Sequence, residues 1–281
     1  MHHRRPTRVA YLVSALAMLS LALAACGDDN DSSSAASRAE STASGAGTSG
    51  STTEARATGP VTVFAAASLT EAFTEIGAQF EGADPEADLT FNFAASSALV
   101  RQITEGAPAD VYASADEANM TKLVDASGAA GEPQVFARNP LEIIVQPGNP
   151  KGITGLADLA NSGVVFVTCA PEVPIGRYTA DALQKAGVTA TPASYEENVK
   201  AVATKVTLGE ADAGVVYATD VAAAGASAEG VTIPEDHNVV ASYPVATTSE
   251  APNAEGAAAF VELVLSDDGQ AVLEEFGFAA P

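Results

Sequence analysis

The chain has 281 residues, of which 36 are acidic and 13 basic, giving a net charge of −23, and 47% are apolar. That balance argues against partners that are themselves polyanionic, nucleic acid and anionic headgroups above all. It also sets a condition on any smaller anionic ligand: the site that holds one must supply its own local positive potential.

In chain order, Arg4, Arg5 and Arg8 precede an apolar run from Val9 to Ala24, about the length of a signal-peptide core. The run ends in Leu23-Ala24-Ala25-Cys26, which resembles a bacterial lipobox, where small residues precede a cysteine that is diacylated and becomes the new N-terminus. A single transmembrane anchor is disfavoured, because the stretch is short for a bilayer and runs directly into Cys26 and a polar tail. Cleavage after residue 25 removes three arginines and no acid, leaving 10 basic against 36 acidic residues, a balance of −26. With Cys26 lipidated, Cys169 is left alone and no internal disulfide forms. Its apolar surroundings, Val164 to Val167, mark Cys169 as a small buried residue rather than a nucleophile. Residues 27–59 are Ser, Thr, Ala, Gly and Asp with almost no large apolar side chain, a composition that reads as a disordered tether.

From residue 60 onward, strand and helix patterns alternate. Strands are predicted at Val61–Ala65, Leu89–Phe93, Val111–Ala113, Leu141–Val145, Val164–Thr168 and Gly214–Tyr217. Helices are predicted at Leu69–Phe80, Leu99–Glu105, Glu117–Ala126, Tyr178–Ala186 and Val199–Leu208. A last helical stretch, Ala257–Phe276, closes back on the first lobe. Such alternation predicts an α/β protein with parallel sheets, long enough for two modest lobes.

One local pattern occurs twice. Val63-Phe64-Ala65-Ala66-Ala67-Ser68 and Phe91-Asn92-Phe93-Ala94-Ala95-Ser96-Ser97 both run strand, small residues, serine, helix. In an open α/β sheet, helices start at the carboxyl ends of strands, where ligands bind. Each helix start leaves N–H groups unpaired and carries about half a positive charge. Two such turns side by side would aim two serines and two helix starts at one anion. Neutral donors of this kind resolve the conflict with the acidic surface, whose field is screened within roughly 8–10 Å.

Each feature also has a purely structural reading. Ser68-Leu69-Thr70-Glu71 fits a capping box, and Ser96 or Ser97 fits an ordinary N-cap. Tyr217 fits a core aromatic whose hydroxyl is tied to something nearby.

A resemblance bears on this choice. VFAAASLTEAF at 63–73, FAASSALVRQITEGAPADVYASAD at 93–116, PEVPIGRYTADALQKAG at 171–187, ENVKAV at 197–202 and GVVYATD at 214–220 resemble the molybdate-binding proteins of ABC importers. The resemblance covers essentially all of 60–281 with spacings preserved. It implies a type II periplasmic-binding-protein fold, two α/β lobes joined by two crossover segments with the ligand in the cleft between them. The lobes would be 60–139 plus 245–281 and 140–244, with crossovers near Arg138–Glu142 and Tyr243–Val245. It further implies an oxyanion held by the hydroxyls and amides of Ser68 and Ser96, the amides of Ile175 and Val199, and the hydroxyl of Tyr217. Ser97 stands as the alternative to Ser96. Ile175 departs from the smaller residue often found there, and Cys169, in the loop region before the VPIG turn, is a second departure.

Molybdenum would thus arrive as molybdate through these same residues, with tungstate as a near-equal ligand and no cofactor. The implied partners are a permease and its cytoplasmic ATPase, the protein being a monomer held at the outer face of the membrane by Cys26. An all-donor site suits a fully deprotonated dianion, whereas a ligand hydroxyl facing only donors stays unpaired at about 1–3 kcal/mol. Sulfate has the same charge and shape, so a binder of another tetrahedral oxyanion is the alternative, and cavity size must separate the two. Catalysis is disfavoured: beyond residue 25 the single histidine, His237, lies in a polar segment, and neither GxSxG nor HExxH occurs. Ferric-ion binding would call for clustered tyrosines or carboxylates as hard oxygen ligands, and no two tyrosines are adjacent.

Overall fold

The computed structural model describes residues 59–281. The leader, Cys26 and the tether fall on residues outside those described. Nine strands form one continuous, curled arrangement. They are β1 (Gly59–Ala66), β2 (Ala87–Ala94), β3 (Val111–Ala113), β4 (Gln134–Val145), β5 (Phe166–Cys169), β6 (Ser194–Glu196), β7 (Ala213–Tyr217), β8 (Glu229–Thr232) and β9 (Val240–Thr247). Their order is β2-β1-β3-β9-β4-β7-β5-β6, with β8 on the other side of β4.

Two half-sheets share β4. In the first, β1 pairs in parallel with β2 and β3, and β9 runs antiparallel to both β3 and β4. In the second, β5 pairs in parallel with β6 and β7, while β7 and β8 run antiparallel to β4. β4 serves both by changing partners along its length: Gln134 to Pro140 pair with β9, and Leu141 to Val145 pair with β7. Pro140 stands at the changeover, where a residue with no N–H disturbs no ladder. The second passage between half-sheets lies earlier than the expected Tyr243–Val245, because Val240 already pairs with Pro140. Asn238 clamps the two passages together. Its side-chain oxygen accepts from the Leu141 amide at 3.0 Å, and its side-chain nitrogen donates to the Leu141 carbonyl at 3.0 Å.

Eight α-helices cover the sheets: α1 (Thr70–Ala83), α2 (Ser96–Thr104), α3 (Glu117–Asp125), α4 (Pro174–Lys185), α5 (Val199–Thr207), α6 (Ala218–Ala224), α7 (Ala254–Leu265) and α8 (Asp267–Glu275). α1 buries Ala72, Phe73, Ile76, Gly77 and Phe80, the one-sided stripe that helical periodicity requires. Gly77 is small for a reason, since a Cβ there would sit 2.8 Å from the Phe91 ring. β1 sends Val61, Val63 and Ala65 into the main core, while Phe64 packs on the opposite face with Leu99, Tyr112 and Met120. The predicted terminal helix is two helices. Ser266 ends α7 and caps α8, its hydroxyl accepting from the Gly269 amide at 3.2 Å. The return to the first half-sheet is made by Phe260, which meets Phe73 and Phe80 edge-on at 5.7 Å, and by Ala279, bonded to Arg138.

Candidate functional site

Five chain turns meet at the junction of the half-sheets. β1 leads through a 3-10 turn, Ala67–Leu69, into α1; β2 leads through Ala95 into α2. From the second half-sheet come the starts of α4 and α5 and the β7–α6 turn. The cavity between them has about 220 Å³ of free space, its mouth included, and is lined by Ser68, Ser96, Ile175, Val199 and Tyr217. All five residues singled out in the sequence therefore share one cavity. The rest of its wall is Ala66, Ala67, Ala94, Ala95, Ala115, Val173, Pro174 and Asn198. No charged side chain is among the lining residues. Ser97 is not among them either.

Ser68 does not cap α1. Its Oγ lies 2.9 Å from the Tyr243 hydroxyl, and no side chain caps the N-terminus of the 3-10 turn or of α1. Glu71, the other half of the expected capping box, is also used elsewhere: both carboxylate oxygens accept from Lys200 Nζ, at 2.8 and 2.7 Å. Ser96 opens α2 without capping it. Its Oγ accepts from the Ala115 amide at 3.0 Å, so its own proton remains available to a further acceptor. Its carbonyl accepts from the Tyr112 hydroxyl at 2.9 Å, which fixes the turn from behind.

Ile175 follows Pro174, which occupies the first turn of α4, where a missing N–H costs nothing. Gly176 allows this helix start to lie against the end of β5, since a Cβ there would come within 2.1 Å of the Ala170 carbonyl. The Ile175 and Val199 amides lie in first helical turns, where N–H groups have no intrahelical acceptor. Asn198 caps α5, its Oδ1 accepting from the Ala201 amide at 3.0 Å. Cys169 is the last residue of β5, not part of a loop as expected; it is buried, and burial raises its thiol pKa far above the ordinary value.

Tyr217 ends β7 with 1% of its surface exposed. Among the described residues its hydroxyl has no hydrogen-bond partner, a costly state for a buried polar atom. Burial, then the neighbouring Tyr243, raise its pKa well above the ordinary phenol value, so it stays a neutral donor. The two rings meet edge-on at 5.7 Å.

Charge stands one layer back, and it is paired. Lys200, next to Val199, bridges Glu71 and the buried Asp220, whose Oδ1 is 3.3 Å away. Arg177, two residues after Ile175, pairs with Asp116 at the N-cap of α3. Burial raises the Asp220 pKa to about 6 against the opposing pull of Lys200. Both pairs join elements of different half-sheets across the cavity. Tyr243, Ala115, Asp220 and these pairs were not anticipated from the sequence. The sequence placed Tyr243 only at an expected crossover, and nothing local signals a partner 175 positions away.

Chemically the cavity offers hydroxyl and amide donors in apolar walls, with no titratable pair inside it. Among the described residues no group of three or more His, Cys, Asp and Glu is placed to hold a metal ion.

Residues 61–279 match the family described as bacterial extracellular solute-binding protein. A molybdate-binding protein of Mycobacterium tuberculosis is 41% identical over 221 residues, 79% of this chain and 85% of that one. Among solved structures, the sulfate-binding protein SubI of the same organism aligns with a TM-score of 0.72 at 18% identity, covering 79% of this chain and 87% of that one. The periplasmic molybdate-binding protein of Azotobacter vinelandii aligns at 0.68 and 20% identity, covering 79% and 99%. The fold is that of the type II periplasmic binding proteins, and the two half-sheets are its lobes. From fold, profile and sequence together, the chain belongs to the bacterial extracellular solute-binding proteins, and within them to the ModA family.

Proposed function

We propose that this protein captures molybdate outside the cytoplasm, and tungstate equally well, and presents it to the permease of an ABC importer powered by a cytoplasmic ATPase. The ligand would rest on the hydroxyls of Ser68, Ser96 and Tyr217 and on the amides of Ile175 and Val199. One observation carries the reading: a fully buried, unpartnered Tyr217 hydroxyl in an uncharged cavity shared with two serines and several helix starts.

Donors alone suit a ligand made only of acceptors. Molybdate and sulfate both meet that description at neutral pH; hydrogen phosphate carries an O–H with nothing to receive it. The relatives named for molybdate favour it over sulfate, while the likeness to SubI extends to the fold. Calorimetric titration of the purified protein is the deciding experiment, since the chain has no tryptophan to report binding. Tight binding of molybdate and tungstate is expected, with sulfate much weaker and phosphate undetectable. Sulfate bound as tightly as molybdate would give the function to the alternative.

The protein would act as a monomer tethered through a lipidated Cys26. Cys26→Ser should move it from the membrane fraction to the soluble one, and continued membrane retention would favour a spanning anchor.

A further inference from the structure

Tyr243 does not line the cavity, yet it touches two residues that do. It lies on β9, between β3 and β4, with 0% of its surface exposed. Phe278, Tyr217 and Phe136 meet its ring edge-on at 5.5, 5.7 and 6.3 Å, so the phenol has little freedom to move. Its hydroxyl lies 2.9 Å from Ser68 Oγ.

Two hydroxyls sharing one hydrogen bond have two arrangements. If Ser68 donates to Tyr243, a serine lone pair faces the cavity and repels an oxyanion. If Tyr243 donates to Ser68, the serine proton is the free one and can point into the cavity. A ligand made only of acceptors stabilises the second arrangement.

We infer that Tyr243 is the positioning residue for oxyanion binding, acting through Ser68 by orienting the serine hydroxyl as a donor aimed at the ligand. This rests on the proposed oxyanion reading and adds to it a residue that never touches the ligand.

A double-mutant cycle on the full-length protein tests it, with molybdate as the calorimetric probe and Ser68→Ala and Tyr243→Phe combined. Tyr243→Phe should weaken binding by about 5–30-fold, the worth of one directed hydrogen bond. In the Ser68→Ala background the same change should cost less than about twofold, a difference of order the usual additivity error. Equal losses in both backgrounds, or none in either, overturn the inference while leaving the binding reading intact. Failure of the unmutated protein to bind molybdate overturns the binding reading itself, and this inference with it. Should Tyr243→Phe not fold, 3-fluorotyrosine placed at 243 retains the hydroxyl and makes it a stronger donor. Tighter binding with Ser68 present and no change with Ser68→Ala support the inference, and an equal effect in both backgrounds overturns it.

Discussion

Tyr217 separates the cost of a residue in the empty protein from its worth in the occupied one. A buried hydroxyl with no partner destabilises the ligand-free state, and Phe fills the same volume without it. Tyr217→Phe is therefore expected to leave the ligand-free melting temperature unchanged or raised. The same change should weaken molybdate binding by about 1.5–3 kcal/mol, the usual value for a hydrogen bond to a charged group. Thermal melts and calorimetry on one preparation read both signs. Parallel losses of stability and affinity would return Tyr217 to the role of a core aromatic. Single residues were also where sequence reading was weakest. Ser68 with Glu71 satisfies a capping pattern perfectly well, and only Tyr243 and Lys200, brought close by the fold, take the two side chains elsewhere.

Secondary-structure elements were far more legible. The duplicated strand, small-residue and serine pattern located two helix starts correctly because it depends on neighbours in sequence. The strand runs at 61–65, 111–113 and 214–217 were readable for the same reason, being short and mostly apolar, with every residue but Thr62 buried. What stayed hidden depends on distant partners or on very short pairing. β4 extends back to Gln134 through Arg138 and Pro140, residues of weak strand character whose pairing is supplied by β9. β6 has three residues and β8 four, mostly exposed, with no apolar run to announce them. Ser266 splits the last helix because a serine in an amphipathic stretch reads equally well as an exposed position.

Across the whole molecule, the ion pairs beside the cavity connect the lobes. Lys200–Glu71 spans α5 and α1, and Arg177–Asp116 spans α4 and the start of α3. The first pair is partly exposed, 28% for Lys200 and 39% for Glu71, so its worth is small, on the order of 0.5 kcal/mol. Glu71→Gln should weaken molybdate binding about twofold at low salt, a gap that closes near 1 M as the pair is screened. Calorimetry at two salt concentrations tests this, and a gap that persists at high salt would mean that Glu71 acts other than through its charge.

The clamp made by Asn238 governs how such lobes can move. Two extended segments, side by side and bonded to each other, form a narrow ribbon between two rigid bodies. A ribbon flexes readily out of its own plane and resists both stretching and in-plane shear, because those motions break the cross-bonds. Bending of that ribbon is thereby the motion between the two half-sheets that its cross-bonds oppose least.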